Sequence, residues 1–168
     1  MNAPVMKKKQ FFYFILVVIL TVLTPLCFFI ISSKKSLFYP ATKITFLSMA
    51  SLIFCRQLIS IVRTHVESQL NKKQALGFWL TFGAAIFVLD LLLHHGVTDT
   101  TSCGFITLTL LSVAFALLSF IDQPQYALNG VYLYLSVVVS IISPHALIIL
   151  ISLSILTLLF AYRWHLRG

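Results

Sequence analysis

The stretch Ala75 to His95, ALGFWLTFGAAIFVLDLLLHH, decides the reading of this chain. Twenty-one residues at about 1.5 Å rise each are enough to cross the hydrocarbon core of a bilayer. Yet the stretch carries Asp90 inside it and ends on His94 and His95. An intramembrane carboxylate is costly, and by default it marks a functional or pairing site.

Composition extends the same reading to the whole chain. Sixty per cent of its 168 residues are hydrophobic and only 10% are charged, against about 25% in soluble domains. So little polar surface cannot cover a water-soluble globule. The expected class is all-α: a polytopic membrane helix bundle forming a single transmembrane domain over 1–168. Six spans are predicted, at about 11–31, 44–62, 75–95, 104–121, 126–142 and 145–162. The first is expected to bend at Pro25, and Pro40 is placed in the loop before the second. No internal repeat is apparent, and no motif supports a three-plus-three inverted arrangement.

The net charge of +8 comes from 12 Lys and Arg against Glu67, Asp90, Asp99 and Asp122. These bases sit beside apolar spans, where they set topology and meet anionic lipid. No polar segment presents a basic face interleaved with aromatics, so nucleic acid is rejected as a partner. With the amino terminus in the cytoplasm, that side receives Lys7, Lys8, Lys9, Arg63, Lys72, Lys73, Arg163 and Arg167. The far side receives Lys34, Lys35 and Lys43. Both termini are therefore expected in the cytoplasm, with Trp79 and Trp164 at that interface. The apolar run after Lys9 lacks an A-x-A site and is read as an uncleaved span. The absence of an N-x-[ST] sequon fits a bacterial inner membrane.

Cys27, Cys55 and Cys103 form no CxxC pair, which disfavours thiol redox chemistry. No Ser/His/Asp order, H-E-x-x-H or P-loop is present. Small residues predict where helices meet: Ser112, Ala116 and Ser119; Ser136, Ser140 and Ser143; Thr157 with Ala161. Gly83, seven residues before Asp90, shares its helix face, so Asp90 is expected to face protein.

Asp90 lies about 8 Å from the outer end of its predicted span, and Arg56 about 18 Å from the outer end of the second. Because helical side chains lean toward their own amino termini, antiparallel packing aims the two at each other. The pair either locks two helices or forms an ion or proton path, with His94 one turn from Asp90. Alternatively, Arg56 snorkels alone to the headgroups, or Asp90 docks a partner helix. His94, His95, Asp99 and His145 fall toward the same surface, but their spacing matches no zinc signature. A haem would need His145 opposite His94 or His95. No cofactor is expected.

Three functions survive. The favoured one is a non-catalytic subunit of a larger membrane assembly, such as a secretion or envelope complex. The second is a small transporter or channel using Asp90, with Arg56 or His94, as its coupling group. The third is a membrane enzyme or electron carrier built on His94, His95 and His145. The expected partners are the lipid bilayer and either other membrane proteins or further copies of the chain.

Overall fold

The computed structural model describes residues 3–63, 69–121, 124–143 and 145–167. Six helices account for nearly all of them: α1 (Ala3–Ser33), α2 (Phe38–Arg63), α3 (Gln69–His94), α4 (Thr100–Ile121), α5 (Tyr126–Ile142) and α6 (Ala146–Arg167). No strand occurs among the described residues. Five helices are long and apolar enough to cross a membrane. The sixth, α5, has 17 residues, at the lower limit for a span.

The helix limits differ from the sequence expectation mostly at amino-terminal ends, and local chemistry explains why. A single 3-10 turn, Lys35–Leu37, runs directly into α2. Pro40 therefore sits in the first turn of α2, where a residue without an N–H costs nothing because that donor lacks a helical acceptor anyway. The helix starts six residues before Ile44, at Phe38, and runs to Arg63. Helix α4 also starts early, at Thr100, because Asp99 caps it. Its Oδ2 accepts the backbone N–H groups of Thr101 (3.0 Å) and Ser102 (3.3 Å). Gly96, with φ +68°, ends α3: its N–H reaches Leu93 O at 3.1 Å and that of Val97 reaches Leu92 O at 3.0 Å. This bonding pattern is the Schellman stop, which needs the left-handed residue that glycine supplies most easily. Helix α1 continues through Pro25.

The helices alternate in direction. The start of α2 meets the end of α3 through Lys43 and Asp90, while its far end meets the starts of α1 and α5 through Arg56. Helices α1, α2, α4 and α5 form the centre; α3 packs on α2 and α4, and α6 on α1 and α5. Replacing each helix by the one three later maps the extensive contacts onto one another. Thus α1–α2 becomes α4–α5, α2–α3 becomes α5–α6, α3–α4 becomes α6–α1, and α2–α4 becomes α5–α1. Ring order alone supplies the first three; the cross-contacts α2–α4 and α1–α5 complete the pattern.

Small residues let α4 and α5 approach closely. A Cβ on Gly130 would lie 3.0 Å from Ser112 O and 3.1 Å from Ala116 N. The Ser112 hydroxyl donates to Gly130 O at 2.8 Å. Of the predicted α4 strip, Ser112 and Ala116 meet Gly130. On α5, Ser136 is fully buried, and it and Ser140 donate to the carbonyls of Tyr132 and Ser136 in their own helix. Thr157 and Ala161 are buried on α6. Gly104 admits the buried Phe38 ring, which a Cβ there would strike. Trp79 is buried in ring contact with Phe46 and Phe78. Trp164 lies outside the residues whose side chains are described, as do Lys7, Lys8, Lys9, Arg63, Lys72, Lys73 and Arg167; Glu67 and Asp122 fall in undescribed segments.

Candidate functional site: two charged clusters along the second helix

Asp90 is an interhelical partner, but not of Arg56. Its Oδ2 receives the Lys43 ammonium at 2.5 Å, and its Oδ1 accepts the Tyr39 hydroxyl at 2.7 Å. Both partners come from the first turns of α2, which the earlier helix start brings into the membrane. Lys43 is five residues past Phe38 and Asp90 four before His94, so each lies about 6–8 Å from its helix end. Roughly a third of each side chain is exposed, 32% for Lys43 and 36% for Asp90. The expectation that Lys43 belongs to a loop is thereby corrected.

Arg56 lies in the second half of α2, seven residues before its end at Arg63. The earlier helix start puts it eighteen residues past Phe38, about 27 Å along the helix. Its guanidinium lies over the rings of Phe12 (4.6 Å to the centroid) and Tyr13 (4.4 Å), both of α1. Its Nη1 donates to the Tyr126 hydroxyl at 3.2 Å. Tyr126 is fully buried and stacks edge-on with Tyr13, centroids 4.9 Å apart. A flat cation on π faces is favourable in partly desolvated surroundings.

The outer-surface histidines do not converge. His94 and His95 are exposed neighbours, ring centroids 5.6 Å apart. His145 is exposed before α6, on the flank opposite α3. Asp99 is engaged as a helix cap, and its carboxylate also accepts the Ser102 hydroxyl. That hydroxyl, and then the two backbone donors, hold the Asp99 carboxyl below its ordinary range. Among the described residues no three His, Cys, Asp or Glu side chains gather as metal ligands. Cys27 is buried 3.6 Å from the Thr45 hydroxyl, Cys103 is buried 3.0 Å from that of Thr98, and Cys55 is exposed.

Gly83 lies open, with nothing within 4 Å of a Cβ placed on it. Its helix edge is therefore not a packed interface, and the sequence argument from Gly83 to Asp90 does not explain the contact Asp90 makes. Tyr39 and Lys43 were not singled out as site residues in the sequence. The available signal was the spacing YPATK, which puts both on one face once Pro40 is read as helical. Elsewhere in the bundle, the Tyr132 hydroxyl joins Ser154 Oγ at 2.7 Å, tying α5 to α6. Comparison of the chain with protein-family models, curated proteins and solved structures finds no match.

Proposed function

We propose that this integral membrane protein is a non-catalytic subunit of a larger membrane assembly, seated in a bacterial inner membrane with both termini cytoplasmic. One observation carries the reading: the outward face of α3. Gly77, Thr81 and Ala84 are all exposed there at helical spacing, and a Cβ on Gly77 would touch nothing. Only 22% of this span is buried, against 50% of α4. Helix α6 is equally peripheral and exposes Ile148, Ile151, Ile155, Leu156 and Leu159; α3 also exposes Leu80, Phe87 and Val88, but it alone of the two presents small residues on successive turns. Branched aliphatic surfaces suit acyl chains. A strip of small residues suits a second helix, because backbones can approach there and gain dispersion contact. The Thr81 hydroxyl donates to Gly77 O at 2.9 Å, so the strip presents no unmet polar group to that helix.

Orientation rests on the balance of bases in the sequence; Lys43 is neutralised by Asp90 at the end of α2 opposite Arg56.

A photo-crosslinking residue at position 84, compared with one at position 155, tests the proposal in native membranes. A discrete larger species, containing a protein other than this chain, is expected from 84 and not from 155. Equal diffuse labelling from both positions would overturn it.

Transport is the second reading, and the three-plus-three contact pattern favours it, since such repeats build transporters. Those folds hold their substrate near the midplane between repeats, whereas Asp90 lies near one end of its helix and pairs within the first three helices. Here Asp90→Asn should abolish flux at normal protein abundance; lower abundance instead marks the pair as structural.

A further inference from the structure

A groove of about 250 Å³ opens between α1, α5 and α6, on the opposite flank from α3. Its wall is apolar: Tyr13, Val17, Ala127, Leu128, Val131 and Phe160 contribute most of it. One polar group departs from that pattern. Gln125 lines the groove, and its Oε1 is buried without a hydrogen-bond partner among the described residues. Gln125 stands at the amino-terminal end of α5 yet makes no side-chain capping bond there. An amide oxygen removed from water and left without a donor forfeits the hydrogen bonds water gave it. A ligand with a hydroxyl donor would restore that bond.

Charge at this end of the bundle supplies the rest of the specification. Arg163 is exposed about one turn beyond Phe160 and Ala161, which line the groove. An apolar slot near an exposed arginine, with one buried acceptor in its wall, complements an amphiphile that has a hydrocarbon chain, a phosphate and a hydroxyl-bearing headgroup. We infer that the groove binds one acyl chain of an anionic glycerophospholipid, whose phosphate meets Arg163 and whose headgroup hydroxyl donates to Gln125. The site is independent of any helix docked on α3; it requires only that the chain lie in a bilayer.

The test is native mass spectrometry of the full chain in mild detergent, with phosphatidylglycerol or phosphatidylcholine added in turn. The wild-type chain should retain one phosphatidylglycerol in preference to phosphatidylcholine. Arg163→Gln, an exposed change that leaves the packing alone, should cut the preference by about fivefold, the expected contribution of one basic side chain near anionic lipid. Ala127→Trp, which fills the groove, should abolish retention of both lipids, with its helical content checked by circular dichroism. Gln125→Leu should weaken phosphatidylglycerol and leave phosphatidylcholine unchanged. Equal retention of the two lipids by the wild-type chain, or an unchanged preference in Arg163→Gln, overturns the inference. Should Ala127→Trp fail to fold, the Arg163 and Gln125 variants decide it.

Discussion

Lys43 and Arg56 lie thirteen residues apart on one helix and meet the membrane by opposite means. Lys43 is neutralised by a carboxylate, Asp90, with Tyr39 completing the shell. Arg56 has no carboxylate partner among the described residues; it lies over two aromatic rings and donates to a phenol. The difference follows from the side chains. An ammonium is a compact, strongly hydrated charge that needs a compact counter-charge. A guanidinium is flat and weakly hydrated, and it can spread itself over π faces. The Lys43 end therefore depends on a pair, and the Arg56 end on shape.

The largest effect should come from splitting the pair. Lys43→Met leaves Asp90 without its cation, and Asp90→Leu does the converse. Breaking a fully buried pair costs about 3–5 kcal/mol. With a third of each side chain exposed, about 2 kcal/mol is the appropriate expectation for either single change. The double variant should cost clearly less than the sum, since neither charge is then orphaned. Unfolding in mixed micelles measures all three. Strictly additive losses would show that the contact contributes nothing as a pair. The exchange of Lys43 for Asp together with Asp90 for Lys should recover most of the loss.

Arg56→Lys comes next, at about 1 kcal/mol, because it keeps the charge but loses planar stacking and the fixed donor geometry. The mirror change, Lys43→Arg, should be nearly silent, since a guanidinium also satisfies a carboxylate. If the two changes cost the same, the contrast between the ends is not one of shape. Raised salt sharpens the point: the pair, a third exposed, should weaken while the aromatic cage holds.

Much of this arrangement was legible beforehand. Hydropathy is a sum over many residues, so the all-helical membrane class and the bounds of α5 at Tyr126 and Ile142 could be read directly. Asp90 was found because one acid in an apolar run is conspicuous. Its partner was missed because Pro40 looked like a break, although proline is tolerated in a first helical turn. That one reading moved the start of α2 by six residues and put Lys43 inside the helix. The contact between Gly130 and Ser112 illustrates a second limit. A small residue marks where a backbone can approach, but Gly130, used, and Gly83, open, look alike until the neighbouring helices are placed. Asp99 illustrates a third. Its side chain is of a metal-ligand type, yet Asp before Thr-Thr-Ser is equally a helix start, and only the start of α4 at Thr100 distinguishes them.

The smallest effect concerns that second acid at the Asp90 end of the bundle. Among the described residues no cation pairs with Asp99; the Ser102 hydroxyl and two backbone donors hold its carboxyl below the ordinary range. A carboxyl whose folded value is depressed contributes stability above its unfolded pKa, about 3.9, and loses it as pH falls through the lower folded value. The start of α4 should therefore stay intact at pH 5 and loosen only in stronger acid. The amide resonances of Thr101 and Ser102 report this locally, separate from whatever Asp90 does in the same titration. Asp99→Asn should erase the acid step while keeping the cap, because an amide oxygen accepts the same backbone bonds. Ser102→Ala should move the step to higher pH. A step that persisted in Asp99→Asn would assign it to another group and leave Asp90, with its lysine and its phenol, as the first to be tested.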